Sequence, residues 1–180
     1  MKRIFFLVFT AMLLVFQVFA QKEGKTRFGI KGGFNHTVIN GYETNGTKTG
    51  FVGSSIYGAL FTEIHIGPTT FLGNELLFSW TNDWHFIEVP FHIKQMLNRR
   101  LGLFLGPKLD FAADKFDKSK ESKSGTCGVS IEAGIQLNII RRLFIEGRYS
   151  YGLSKQFKDE FFDINDGSRN NLRFGLGFRF

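Results

Sequence analysis

Apolar and polar or small side chains alternate strictly at the end of the chain, in the stretch Asn171-Leu172-Arg173-Phe174-Gly175-Leu176-Gly177-Phe178-Arg179-Phe180. Successive side chains of a β-strand point to opposite sides, so this alternation predicts a strand with one apolar face and one polar face. The chain therefore ends in a strand whose two faces meet different surroundings.

Seven other segments alternate in the same way and predict seven more strands. Beyond residue 20, no apolar run approaches the roughly 20 residues that a membrane-spanning helix needs. A chain of this kind can span a membrane only as a closed barrel, in which every backbone polar group is paired. The eight predicted strands are Arg27–His36, Ser55–His65, Thr70–Trp80, His85–Leu97, Leu101–Ala112, Gly128–Asn138, Leu143–Ser154 and Asn171–Phe180.

The connections between these strands fall into two groups. Short turns are predicted after the second, fourth and sixth strands, whereas three of the other four connections are long and polar. This asymmetry is typical of outer-membrane barrels, and an even number of strands places both termini on one side, expected to be the periplasm. The short turns are Ile66–Thr69, Asn98–Arg100 and Ile139–Arg142, and the long connections are Thr37–Ser54, Ala113–Cys127 and Lys155–Asn170.

One face of the predicted strands is bulky and apolar, and the other carries charges and glycines. An eight-stranded barrel has an interior only wide enough for side chains. Seven basic and six acidic residues on the polar face can pair there, so we expect a lumen closed by salt bridges rather than an open pore. The predicted lumen charge network is Arg27, Lys31, Glu63, Glu75, Glu88, Lys94, Lys108, Asp110, Glu132, Glu146, Arg148, Arg173 and Arg179.

The first 20 residues have the pattern of a secretory signal peptide: Lys2 and Arg3 precede an apolar run that ends at Ala20. We expect cleavage after Ala20, which divides the chain into a signal peptide, 1–20, and a barrel domain, 21–180. Cleavage lowers the formal net charge from +7 to +5. The remaining charges are dispersed along strands and loops, which argues against a nucleic-acid partner. Cys127 is the only cysteine, so no disulfide forms within the chain.

A soluble alternative has the same alternation. Secreted calycin-type barrels have eight strands and bind apolar ligands inside, with the charged face outward. Three features favour the membrane barrel: the bulky apolar face would overfill a small lumen, the glycines lie mostly on the polar face, and the chain ends on Phe180. Phe178 and Phe180 are similar to the terminal aromatic signal read by barrel-assembly machinery.

These segments together resemble the PorT-type, OmpX-like outer-membrane β-barrel family common in Bacteroidota. The resemblance covers nearly the whole barrel but departs at Asn74, where the family has proline, and at His92, where it has an apolar residue. It implies the barrel fold and, through the family's named member, a connection with type IX secretion; it implies no catalytic motif. The similar stretches are Gly29–Asn35, Gly58–Ile64, Asn74–Ser79, Phe86–Lys94, Leu105–Leu109 and Ile145–Tyr149.

Candidate chemistry is sparse. His36 and His85 are expected near the outer rim beside Ser54, Ser55, Ser79 and Asp83, but no nucleophile signature accompanies them. The histidines and Cys127 lack metal-ligand spacing, so we expect neither a metal nor a cofactor. The loop Asp114–Lys123 mixes lysines with acids, and contact with anionic lipopolysaccharide is a secondary hypothesis for it. The residues expected in an aromatic girdle at the membrane interface are Trp80, Trp84, Tyr149 and Tyr151.

The sequence thus predicts an all-β protein, an eight-stranded antiparallel up-and-down transmembrane β-barrel after a cleaved signal peptide. We expect a monomeric, non-enzymatic protein of the Gram-negative outer membrane that acts through extracellular loops or as an envelope scaffold. Its expected partners are outer-membrane lipid and lipopolysaccharide, the barrel-assembly machinery and possible secretion-system proteins. The alternatives are a component of type IX secretion or gliding machinery, a lipid-modifying outer-membrane enzyme and a soluble calycin-like ligand carrier.

Overall fold

The computed structural model describes residues 26–43, 46–80, 85–113, 127–155 and 164–180. These residues form a closed barrel in which each strand pairs antiparallel with its sequence neighbours and the first strand pairs with the last. The strands are β1 Thr26–Glu43, β2 Lys48–His65, β3 Thr70–Trp80, β4 His85–Met96, β5 Leu101–Ala113, β6 Cys127–Asn138, β7 Leu143–Gly152 and β8 Ile164–Arg179. The predicted all-β, up-and-down, eight-stranded architecture is confirmed. The predicted signal peptide lies outside the described residues.

The alternation along each strand separates the two surfaces of the barrel. Most leucine and isoleucine side chains face outward, as does Phe34 at 73 % exposure, whereas Lys108 and Glu132 are fully buried in the lumen. A soluble calycin would reverse this arrangement, because its charges would face water. None of the described residues forms an apolar helix long enough to cross a membrane.

Three strands are longer than the alternation predicted. β1 and β2 remain paired from Thr26↔Ile64 to Tyr42↔Lys48, and β8 begins at Ile164. The connection predicted as the loop Thr37–Ser54 is therefore mostly strand, and residues 164–170 of the predicted loop Lys155–Asn170 belong to β8, which corrects those two predictions. Residues 48–54 and 164–170 have no alternation of apolar and polar side chains, so the sequence offered no signal for the backbone pairing there. At the β1–β2 turn Gly46 adopts φ +84°, a conformation that favours glycine.

These extensions form a sheet that projects beyond the barrel wall. On the side of the β1–β2 turn, the outermost pair between β2 and β3 is Ile56↔Trp80, and the outermost pair between β7 and β8 is Ser150↔Asn171. Beyond those pairs, β1 is the only described strand that pairs with β2 or β8. We call the outer parts of these extensions, residues 40–43 of β1, 48–50 of β2 and 164–168 of β8, the projecting sheet; Arg169 of β8 is buried in the lumen and is not part of it.

Two prolines interrupt the ladders locally, as their missing backbone N–H predicts. Pairing of β3 with β4 stops at Asn74↔Phe91, beside Pro90, and resumes in the same register at Leu77↔Glu88. Pairing of β4 with β5 similarly skips the position opposite Pro107. Gly106 adjoins this gap, and a Cβ atom there would meet the carbonyl group of Phe91.

The three short turns lie at the end of the barrel opposite the projecting sheet. In each turn, the residue that follows one strand donates a backbone hydrogen bond to the carbonyl of the first residue of the next strand. The N–H of Ile66 donates to the carbonyl of Thr70 over 3.1 Å, that of Leu97 to Leu101 over 2.9 Å, and that of Ile139 to Leu143 over 2.9 Å. We call this the short-turn end, and the opposite end the loop end.

Candidate functional site

The lumen is the candidate functional site, because nearly all the buried charges of the barrel meet there. At its loop-end side, Arg173 Nη2 lies 2.5 Å from both carboxylate oxygens of Glu88. Lys108 Nζ donates to Glu88 Oε2 over 2.8 Å and lies 3.0 Å from Asp110 Oδ1. Arg169 contributes a further guanidinium, 3.2 Å from Glu88 and 3.4 Å from Asp110. Two carboxylates thus neutralise most of the charge of three cations.

A second cluster fills the middle of the lumen around Arg148. Its guanidinium donates to Glu75 over 3.0 Å, to Glu132 over 2.8 Å and to Glu146 over 2.5 Å. Lys31 binds two of the same carboxylates, at 2.5 Å from Glu75 and 3.1 Å from Glu146. Removing one partner from such a buried network leaves an uncompensated charge, which costs several kcal/mol.

His92 joins this central cluster, so the lumen holds an imidazole as well as the charges. Its Nε2 atom lies 2.9 Å from Glu132, and Nδ1 lies 3.5 Å from Glu75. The ring also packs against Phe104, with centroids 4.9 Å apart. His92 therefore lies between two carboxylates of the central cluster.

A smaller cluster closes the lumen near the short-turn end. Lys94 Nζ binds Glu63 Oε1, and Arg179 Nε donates to Glu63 Oε2 over 3.2 Å. Lys94 also donates to Gln136 over 3.1 Å, and Arg179 to Asn138 over 3.0 Å. Glu63 is therefore bound by two cations near the short-turn end, just as Glu88 is bound by cations at the loop-end side.

Aromatic rings occupy much of the remaining lumen. Arg169 lies 3.7 Å from the centre of the Phe86 ring, and Arg179 lies 4.4 Å from that of Phe144. A cation over a ring face is attracted by the ring quadrupole, so these rings stabilise the cations as well as fill space. The sequence predicted charges and glycines for the inner face, and the inward aromatic rings were not predicted. The signal was present in the parity, which the charged residues share with the inward rings Tyr57, Phe61, Phe71, Phe86, Phe104 and Phe144.

Inward glycines make room for these rings. A Cβ atom at Gly177 would lie closer than 3.0 Å to the ring of Phe144, a separation that real Cβ atoms essentially never adopt. The same holds for Gly134 and the ring of Phe104. The glycines predicted for the polar face therefore stand opposite aromatic side chains from neighbouring strands.

Little empty space remains among these side chains. The cavity in the central part of the lumen measures about 20 Å³ and is bordered by Lys31, Glu75 and Phe104. About 10–15 Å³ of such space holds a single water molecule, so this volume accommodates little more than one. A wider mouth of about 470 Å³, bordered by Arg27, Pro68 and Arg99, opens at the short-turn end.

The structure places twelve of the thirteen residues predicted for the lumen charge network in the buried interior, and Arg27 outside it. Arg27 has the inward parity but lies exposed in the mouth, with its guanidinium 5.2 Å from the centre of the Phe71 ring. This corrects its assignment to the network. Arg27 is the second residue of β1 and lies beyond the closed part of the lumen. Arg169, by contrast, was missed because the segment before Asn171 lacks apolar alternation, although it has the inward parity of Arg173.

The candidates for chemistry are dispersed. His36 and Ser54 are cross-strand partners, with Nδ1 and Oγ 3.4 Å apart on the exposed surface, and no carboxylate among the described residues hydrogen-bonds to this histidine. Ser55 and Ser79 are buried on the inner face, away from that pair. Asp83, Trp84 and the loop Asp114–Lys123 lie outside the described residues. No cluster of metal-ligating side chains occurs in the part of the chain that the structure describes.

The other predicted positions lie on the outer wall. Trp80, Tyr149 and Tyr151 are about half exposed and stand toward the loop end of β3 and β7. Phe178 and Phe180 are exposed at the short-turn end, with ring centres 6.0 Å apart. These positions face the surroundings that the girdle and assembly-signal predictions require, while the roles themselves stay predictions.

Solved barrels share this architecture. Ail, the attachment invasion locus protein of Yersinia pestis, solved with the heparin analogue sucrose octasulfate, has 16 % identity and a TM-score of 0.57, and the match covers 86 % of this chain and 99 % of Ail. Neisserial surface protein A has 11 % identity and a TM-score of 0.57, with 85 % and 97 % covered. No curated protein sequence matches the chain. The family model of the outer membrane protein beta-barrel domain matches residues 8–180, and the chain therefore belongs to that family.

Proposed function

We propose that this protein is a non-enzymatic, non-conducting barrel of the outer membrane that acts through its loop end. Its termini and short turns lie in the periplasm, and the projecting sheet lies outside the cell. The observation that carries the proposal is the closed lumen, whose central cavity measures about 20 Å³.

The lumen argues against transport. A pore needs a continuous water-filled path, and here charged side chains from strands on opposite sides of the barrel bind one another across the interior. Glu88 of β4 holds Arg173 of β8, and Glu75 of β3 holds Arg148 of β7. Opening a path would separate buried ions, each of which costs several kcal/mol to leave unpaired.

The projecting sheet supports an action outside the membrane. Within the described residues, each of its two outer strands pairs only with β1. Unpaired strand edges offer backbone donors and acceptors that an extended segment of a partner can bind. The surface available for recognition is therefore larger than that of the loops alone.

Planar bilayer recordings test the closed lumen. The refolded wild-type barrel is expected to show no conductance steps, with an open porin as the positive control. A barrel in which Phe104 and Phe144 are both replaced by alanine serves as the matched control. It keeps the salt bridges but removes two rings that border the central cavity, so its recordings show whether the rings, rather than the salt bridges, close the lumen. Discrete wild-type channels of porin size would overturn the proposal.

Cysteine labelling in whole cells tests the orientation. In a background with Cys127→Ser, the substitution Thr47→Cys at the β1–β2 turn should react with a membrane-impermeant maleimide. Asn98→Cys at a short turn should react only after the outer membrane is permeabilised. The reverse pattern would place the short turns outside and contradict the proposal.

The resemblance to PorT-type barrels supports a narrower version, in which the barrel belongs to a type IX secretion or gliding assembly. This version predicts that secretion proteins co-purify with the barrel in mild detergent and are lost when the projecting sheet is removed. Lipopolysaccharide and the barrel-assembly machinery are the other proposed partners. Purification of the barrel with no stoichiometric protein partner would argue against the secretion role.

A further inference from the structure

Four arginines form an exposed basic patch at the short-turn end. They occupy the last two positions of the β4–β5 turn and of the β6–β7 turn, and all four are exposed. A backbone hydrogen bond brings the two turns side by side, since the N–H of Asn138, the last residue of β6, donates to the carbonyl of Arg100 over 2.7 Å. We call these four arginines, which lie on two adjacent turns, the arginine collar: Arg99, Arg100, Arg141 and Arg142.

No acidic side chain of the short turns balances this charge. The turns at residues 66–69, 97–100 and 139–142 contain no aspartate or glutamate. Glu63, the acid of the adjoining part of the lumen, is buried and already bound by Lys94 and Arg179. The described short turns therefore contribute four guanidinium groups and no side-chain carboxylate to this end of the barrel.

Exposed apolar side chains lie directly beside the collar. Leu97 is 57 % exposed, Ile139 is 51 % exposed and Ile140 is 60 % exposed. Leu97 and Ile139 continue the outward alternation of β4 and β6, so the lipid-facing band runs into the same turns that carry the arginines. The guanidinium groups thus stand where the apolar band ends, at the level at which a bilayer presents its headgroups.

We propose that the arginine collar is a binding surface for the headgroup phosphates of anionic glycerophospholipids. A guanidinium matches phosphate geometry with paired N–H donors, and the neighbouring leucine and isoleucines contact the acyl chains of the same lipids. A soluble acidic protein would match the charge but would not require apolar side chains in the turns. The inference concerns the short-turn end of the barrel and rests on the proposed placement of that end in the periplasm, but the lipid measurement succeeds or fails independently of the conductance and labelling experiments.

Native mass spectrometry of the full barrel, released from zwitterionic detergent with equal amounts of phosphatidylglycerol and phosphatidylcholine, tests the proposal. The wild type should retain phosphatidylglycerol preferentially. Because one basic side chain near an anionic surface contributes about a fivefold preference, replacing all four arginines by glutamine should lower the ratio of the bound lipids by tenfold or more. Raising the salt concentration should lower the wild-type ratio as well.

Two controls keep the result specific. Replacing the four arginines by lysine preserves the charge and should keep most of the preference, and Lys155→Gln removes a positive charge near the loop end and should leave the preference unchanged. If the fourfold glutamine variant does not fold, the pair Arg141→Gln and Arg142→Gln replaces it, with an expected loss of about fivefold or more. Equal retention of both lipids by the wild type, or an unchanged preference in the glutamine variants, would overturn the proposal.

Discussion

Arg173 forms an ion pair with Glu88 across the lumen, with Nη2 2.5 Å from each carboxylate oxygen, and both residues are fully buried. They are 85 positions apart in the chain, on β8 and β4, so only closure of the barrel brings them together. Lys108 and Arg169 approach the same carboxylate, which makes Glu88 the main anion for three cations.

Replacing Glu88 by glutamine should destabilise the barrel strongly. The amide keeps the shape of the side chain but leaves the cations around it without their shared charge, and breaking a buried pair in this way costs about 3–5 kcal/mol. Urea unfolding of the refolded protein in detergent micelles measures the loss. Arg100→Gln removes an exposed charge and should change the free energy of unfolding by less than about 0.5 kcal/mol. A loss of unfolding free energy for Glu88→Gln as small as that for Arg100→Gln would contradict a stabilising role for Glu88 in the buried charge cluster.

Gly177→Ala should be destabilising because the new methyl group meets the Phe144 ring. Overpacking of this kind costs about 1–3 kcal/mol in unfolding free energy. Adding Phe144→Leu should recover part of the loss, since the smaller side chain frees the space. Gly58→Ala is the matched control, because its Cβ atom would make an ordinary contact 3.6 Å from Trp80. No recovery in the double variant would contradict the packing argument.

The Phe86 ring should stabilise the barrel through Arg169, whose guanidinium lies 3.7 Å from the ring centre. Phe86→Leu keeps an apolar side chain and removes the ring face, so the coupling between the two residues should disappear. A double-mutant cycle with Arg169→Gln, which removes the cation, is expected to give a coupling free energy of about 0.5–2 kcal/mol. The same cycle with outward-facing Phe34 in place of Phe86 should give no coupling, and a near-zero value for Phe86 would exclude a cation–ring contribution.

The projecting sheet should be dispensable for folding. Ile39 and Phe51 are cross-strand partners, so an Asn-Gly turn in place of residues 40–50 joins them directly. The shortened barrel should still migrate faster unheated than boiled on a gel, because the paired lumen is untouched. Its urea midpoint should stay close to that of the wild type. A protein that no longer folds would show that the projecting sheet nucleates the barrel rather than only extending it.

The alternation identified most of the fold because facing is a local property of a strand. Asn171–Phe180 shows in sequence which side chains share a face, and the same parity placed Glu132 and Lys108 together on the inner one. The alternation failed where its physical cause is absent. Residues 164–170 and 48–54 have no alternation of apolar and polar side chains, although the backbone pairing extends through them.

By itself, the sequence determined the number and direction of the strands, the short turns and the identity of the two faces, because period-two alternation and turn residues act over neighbouring positions. Only the tertiary structure decided which charges meet: closure and stagger of the barrel bring Glu88 to Arg173, draw Arg169 inside and leave Arg27 at the mouth. Contacts across a closed lumen depend on strands that are distant in the chain, and no local pattern specifies them.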